Sequence, residues 1–394
     1  MPEESFEHAG KRIAYYRKLR RLTQEELAAA ALTSYSLLTK VEQGKVPASP
    51  TLLGALSHAL RVPVTDLTGQ PYRTELEADE IDPLIQGIRD ALDGYDLGAD
   101  EEVRPRPLSE LHQAAEALCA RVRNTDIKGV AIELPALIDE VTSAAYLAPS
   151  DSMWRVLASL YRTAYDVTSK LGYPDLSMIA LDRLQWASER ASDPVLAATR
   201  QYYRTLAYTR SGRIRTGSRL IAASIALLGE AAPGRERDVV AGQLHLGAAV
   251  VAARSGDGDR ALDHIAEATR IAALTGPAEQ VHWLSFGLPN CGVHKVSILA
   301  DLERYPEAVE AAGQLEIPTH WPVSRYAAHV TEVARAQVMI GDSASALASL
   351  RRARRMAPQQ VRYHPVARSV VGALMHGRRN PPRELTSLAS WVGM

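Results

Sequence analysis

Apolar residues recur every three or four positions from Phe6 onward, and nowhere do they alternate in steps of two over the length of a strand. The pattern predicts helices throughout. In the first 70 residues it breaks into five short segments. The first, GKRIAYYRKLR, puts Ile13, Tyr16 and Leu19 on one face. Thr23 and Glu26 then have the spacing of a capping box, ahead of the apolar run LAAAAL. Ser34 caps a third segment, which Gly44 stops in the left-handed conformation. Ser49 and Pro50 open a fourth, with Pro at the favoured first helical position, and PVTDL makes a last short turn from Pro63. A compact domain over residues 1–70 follows, ending near Gly69-Gln70-Pro71.

From Leu108 to the end the helical pattern is continuous and punctuated at Gly172, Gly212, Gly256, Tyr305 and Gly341, at spacings of 40, 44, 49 and 36 residues. Those are the lengths of helical-hairpin repeats. One hairpin cannot bury its apolar face alone, but stacked neighbours can, so residues 108–394 are expected to form a curved solenoid of about six hairpins with closing helices. Residues 71–107 read as an acidic linker with one amphipathic helix around Leu84 to Leu92, punctuated by Pro and Gly like a hinge. The expected fold class is all-α: a five-helix N-terminal domain, then a helical-hairpin solenoid.

Charge sharpens this division. Residues 1–70 carry 9 basic and 7 acidic side chains, a net +2, whereas residues 71–110 carry 4 and 12, a net −8. The whole chain stands at −1, which by itself argues for no partner. No apolar run approaches the ~18 residues that span a bilayer, and the acidic start MPEESFEHAG is no secretory signal, so a cytoplasmic protein without a membrane partner is expected. Cys119 and Cys291 stand apart in sequence and outside any Cys/His cluster, which argues for inert thiols and no metal site.

The third segment, TSYSLLTKVEQGK, concentrates the candidate chemistry. Leu38 and Val41 turn inward, while Ser36, Thr39, Lys40 and Gln43 share a polar face at helical spacing. A helix of about ten residues is ~15 Å long and fits the major groove of B-DNA. There Lys40 would donate to guanine, Ser36 and Thr39 would bond to base edges, and Tyr35 would meet a phosphate or a thymine methyl.

This segment and its neighbours, LTQEELAAAALTSYSLLTKVEQGKVPASPTLLGALSHALRVPVTDL, resemble the lambda-repressor-type helix-turn-helix of the xenobiotic-response-element (XRE) regulators. The resemblance covers about residues 8–70. It implies a double-stranded DNA operator, with Gln24 touching phosphate and bracing the third helix, and Arg17 and Glu42 forming a structural ion pair. The amides after Gly44 and the Lys45 side chain would hold phosphate, which positions without specifying. Two departures stand out: Arg21 and Leu32 occupy turns where the family usually has Gly, which predicts strained or re-routed turns.

The second half, around FGLPNCGVHKVSILADL and RMAPQQVRYHPVARSVV, resembles the tetratricopeptide-like C-terminal region of actinobacterial XRE regulators. That resemblance implies an effector, whether a peptide, a small molecule or a small partner protein, in the solenoid groove. It also implies a homodimer, which would address half-sites ~34–36 Å apart or a multiple of that. Counting back eleven positions from the repeat turns gives Tyr161, Gln201, His245 and His294, with Val330 breaking the series. Together with Trp283 and Asn290 these are the candidate ligand residues, since an Asn can donate and accept against a backbone at once. Trp154, Trp186 and Trp391 read as core or capping residues. No phosphate loop, nucleophile elbow, HExxH or dinucleotide fingerprint occurs, so neither catalysis nor a cofactor is expected. A second possibility is an interaction adaptor whose N-terminal domain no longer reads DNA.

Overall fold

The computed structural model describes residues 8–70 and 82–394, apart from 279, 377 and 379. Residues 1–7 of the N-terminal domain and 71–81 of the acidic linker lie outside the described residues. Among the described residues the elements are helical, save one antiparallel bridge between Ala278 and Phe286.

The N-terminal domain comprises α1 (Ala9–Leu19), α2 (Gln24–Ala30), α3 (Tyr35–Glu42), α4 (Pro50–Leu60) and α5 (Val64–Thr68). Thr23 forms the full capping box with Glu26, and Ser34 and Ser49 accept from the Leu37 and Leu52 amides at 3.1 Å each. Ile13, Leu27, Leu38, Val41, Leu56, Leu60 and Leu67 then close one core, each contributing about 1.5–3 kcal/mol on burial. The two turns without Gly are not re-routed. Arg21 and Leu32 sit at φ 57° and 50°, so the chain keeps the left-handed turn and carries its steric cost.

The helix α6 (Asp82–Asp93) buries Ile85, Ile88 and Leu92 in the core of the following helices, and is thus part of the solenoid's own packing. The solenoid begins with α7 (Leu108–Arg123) and α8 (Ile127–Leu147). Five hairpins follow: α9 (Asp151–Leu171) with α10 (Pro174–Arg190), α11 (Pro194–Arg210) with α12 (Ile214–Glu230), α13 (Arg235–Arg254) with α14 (Gly258–Thr275), α15 (Leu288–Asp301) with α16 (Tyr305–Gly313), and α17 (Val323–Met339) with α18 (Ser343–Met356). The chain closes with α19 (Pro358–Arg362), α20 (Pro365–Met375) and α21 (Arg383–Trp391). Gly172, Gly212, Gly256 and Gly341 all take positive φ at the hairpin turns. Trp154 and Trp186 pack edge-to-face at 5.2 Å, with the Arg190 guanidinium 3.9 Å from the Trp186 ring centre, while Trp391 lies half-buried against the closing helices.

The superhelix winds until its ends meet. The Gln359 side chain, on α19, accepts the Ile127 and Lys128 amides at 2.9 Å each and so caps α8. The Trp283 indole donates to Glu116 of α7 at 3.1 Å, and Arg123 donates to Ser285 at 2.7 Å. A central space is thereby walled on its sides.

The N-terminal domain docks over that space. An ideal Cβ placed on Gly54 of α4 would stand 2.8 Å from the Cα of Gly212, in the α11–α12 turn, so backbone lies on backbone there. Gln70 reaches the Tyr363 carbonyl at 3.5 Å, just after α19.

A candidate nucleic-acid interface and an interdomain cavity

The third helix is held from behind. Leu38 and Val41 are buried, and Leu37 packs half-buried on the domain core. Arg17 of α1 donates to both carboxylate oxygens of Glu42, at 2.7 and 2.9 Å, and Gln24 of α2 donates to Glu42 Oε2 at 2.7 Å. This bidentate pair fixes α3 against α1 and α2 with little freedom to roll. Hydrogen bonding to Glu42 raises the Arg17 pKa further above its usual range. The outward face is open: Tyr35, Ser36, Lys40, Gln43 and Lys45 are all exposed.

Two expectations need correction here. Thr39 is half-buried and its hydroxyl is covered by protein, so it is not offered outward with Ser36 and Lys40. The Gly44 and Lys45 amides are spent on α3 itself, bonding the Val41 and Lys40 carbonyls at 2.9 and 2.8 Å as a Schellman cap. These two amides are therefore unavailable to phosphate, leaving those beyond Lys45 and the Lys45 side chain.

Between the same domain and the solenoid lies a cavity of about 390 Å³, lined by no residue of α3. Its roof comes from α1, α4 and α5, through Ala9, Pro50, Leu53 and Val64 among others. Its floor and walls come from the inner helices of the solenoid, with Tyr165, Tyr202 and Tyr203 beside Arg123, Lys170, Arg210 and Arg325. Burial depresses the Lys170 pKa despite Asp166 at 3.8 Å, and the charges of Arg123, Arg210 and Arg325 push the same way. Burial likewise raises all three tyrosines, Tyr202 to about 12.

Behind the wall runs a chain of polar side chains. Gln243 donates to the Tyr202 hydroxyl at 2.6 Å, and Asn290 donates to Gln243 at 3.3 Å. Arg325 in turn donates to Asn290 Oδ1 and, at 3.1 Å, to His294 Nε2. Burial, together with Arg325, drives the His294 pKa down to about 3, so the imidazole stays neutral and acts as an acceptor.

Residues 13–67 match the helix-turn-helix family model. No curated protein matches the chain. Among solved structures, the crystal structure of Bacillus thuringiensis PlcR in complex with the peptide PapR7 and DNA is similar at 15% identity and a TM-score of 0.32, covering 79% of this chain and 94% of that one.

The helix-turn-helix domain thus exposes Tyr35, Ser36, Lys40 and Gln43 but not Thr39, and the candidate ligand residues scatter. Only Asn290 and His294 come together, and they hold Arg325 instead of lining the space themselves. Gln201 accepts from Arg204 at 3.0 Å on its own helix. His245 faces His264 across the α13–α14 hairpin at 3.1 Å, with burial lowering both pKa values. Tyr161 is fully buried in the core. Trp283 borders a separate cavity of about 150 Å³, with His112 and Glu116. The ladder fails in part because its reference points are not equivalent: Gly172, Gly212 and Gly341 lie between helices, whereas Tyr305 is already the first residue of α16. The cations at the cavity were missed. Lys170, Arg210 and Arg254 each stand two residues before a turn glycine, and that recurrence was visible in SKLG, TRSG and ARSG.

Proposed function

We propose that the protein is a sequence-specific DNA-binding regulator of transcription whose solenoid receives an effector. One observation carries this reading: α3 keeps Ser36, Lys40, Gln43 and Lys45 exposed even while its domain is docked on the solenoid through α4. A helix-turn-helix domain that had become a mere packing unit would have no reason to leave that face unpaired. Lys40 is assigned to base edges, Ser36 and Gln43 to neighbouring edges, and Tyr35 and Lys45 to the phosphates. Gln24 serves as a brace through Glu42. The protein would act as a homodimer on half-sites related by two-fold symmetry, and the effector would work by favouring one placement of the reading domains over another.

Selection from random duplex DNA with the full chain, followed by gel-shift titration, tests the proposal. An enriched palindrome is the expected result. Lys40→Ala should weaken the selected site by about 1–3 kcal/mol and relax one base position, whereas Lys45→Ala should weaken all sequences alike and reduce the salt dependence. A selection that enriches nothing overturns the reading and favours the adaptor.

A further inference from the structure

The interdomain cavity carries more positive charge than its own acids neutralise. Seven Lys or Arg side chains line it, against two acids, Asp166 and Glu332. Both acids are already engaged by cations outside the lining, Asp166 by Arg162 at 3.1 Å and Glu332 by Arg335 at 2.8 Å. Of the seven, Arg254 is answered by Asp301 at 3.0 Å, but Arg123, Arg210 and Arg325 have no acid of their own among the described ion pairs. Arg123 is only 9% exposed and donates through Nη1 to Ser285, while its Nε is buried without a hydrogen-bond partner. The Nε of Arg325 is in the same condition. Donors on buried guanidinium groups are expensive to leave unanswered, and those of Arg123 on α7 and Arg325 on α17 meet here with the ammonium of Lys170 on α9 and the more exposed Arg210 on α11.

We propose that this cavity binds a small anionic ligand, a carboxylate- or phosphate-bearing molecule with an apolar or aromatic body, clamped between the helix-turn-helix domain and the solenoid. The cations of the floor take the anionic group. Tyr165, Tyr202, Tyr203 and Leu206 face the body from the solenoid, and Leu53 and Val64 from the roof. A volume of about 390 Å³ falls at the small end of the range for drug-sized ligands. Because the roof is the helix-turn-helix domain itself, an occupant touches both domains and favours their docked arrangement. That consequence at DNA rests on the regulator reading above; the binding does not.

Full-length protein is unfolded thermally, and its amide exchange is followed, with phenyl phosphate, benzoate or benzyl alcohol at matched ionic strength and without DNA. Either anion, but not the neutral alcohol, should raise Tm and slow exchange in α4 and in the last turns of α9 and α11. The better of the two anions names the headgroup. Lys170→Met should leave the unliganded Tm equal or higher, since Asp166 keeps Arg162, yet weaken the anion by about ten-fold or more. If that variant fails to fold, Arg210→Gln serves the same purpose. Arg270→Gln, in an exposed pair with Glu267 on α14, should respond like the parent chain. Equal responses to the neutral and anionic probes, no response to either anion, or equal responses of the Lys170 and Arg270 variants would overturn the proposal. A failed DNA selection would leave an anion effect standing, and the converse also holds.

Discussion

The docking of the helix-turn-helix domain can be tested through a single methyl group. In Gly54→Ala the new Cβ would stand 2.8 Å from Gly212 Cα, whereas ordinary contact begins at 3.4 Å, so the two backbones must part by at least about 0.6 Å. No side chain is there to rotate away. Within α4 the same change is favourable, by about 0.8–1.0 kcal/mol of helix propensity. The helix-turn-helix domain should therefore hold together as well as before or better, while its seat on the solenoid loosens by roughly the 1–3 kcal/mol typical of overpacking. Hydrogen exchange read by mass spectrometry separates the two effects: faster exchange in the 211–213 turn, unchanged or slower exchange within α4. The reciprocal change has an internal control. Gly212→Ala would place a Cβ 2.6 Å from the Gly54 carbonyl at φ +75°, whereas Gly256→Ala, in the next hairpin's turn at φ +83°, meets nothing within 4 Å. Both carry the left-handed penalty, and only the first disturbs docking. Equal exchange profiles for the Gly212 and Gly256 variants, or an unperturbed 211–213 turn in Gly54→Ala, would refute the docked arrangement.

Three further outcomes follow from named contacts. Glu42→Ala removes the acceptor of three hydrogen bonds and leaves the Arg17 guanidinium half-buried without its partner, which should cost about 3 kcal/mol and speed exchange across α1 to α3; Glu42→Gln should recover part of that. Arg21→Gly and Leu32→Gly relieve left-handed non-glycine residues at φ 57° and 50°, and each should raise the unfolding free energy from denaturant titration by up to about 1 kcal/mol. His294 is held neutral, with its pKa depressed from 6.5 to about 3, so its contribution is complete above pH 6.5 and is lost as pH falls toward 3. The expected slope is about 1.4 kcal/mol per pH unit, or about 2 kcal/mol between pH 7 and 5. His294→Gln, a neutral acceptor for Arg325 at every pH, should flatten that part of the profile.

Local chemistry was readable along the chain. Ser34, Ser49 and the Thr23–Glu26 box start their helices through side chains that reach only three residues ahead, so no tertiary knowledge is needed to place them. The outward face of α3 followed from the same 3.6-residue period, and the Arg17–Glu42 pair from a family pattern. What could not be read was convergence. A lysine or arginine near a helix C-terminus ordinarily answers the last carbonyls and the helix dipole, and Lys170 and Arg210 each have that bland explanation in isolation. Thr39 failed for a related reason, because helical spacing gives a residue's direction but not the height of the neighbours beside it.

The closure of the solenoid changes what those cations mean. In an open arc the ends of α9, α11 and α13 would face water, and their charges would be screened. Here α19 caps α8, Ser285 receives Arg123, and the helix-turn-helix domain sits over the remaining opening, so the same charges line one small cavity with three tyrosines, Lys170 and Arg254 partly buried and Arg210 still exposed. Repulsion among them opposes the compact state, and it adds to the burial that depresses the Lys170 pKa. The fold retains this cost against the helix-turn-helix domain that roofs the cavity. Whatever neutralises the cavity then gains most when the roof is seated. On the proposed reading, occupancy and the placement of α3 thereby become one equilibrium, not two events in need of a relay.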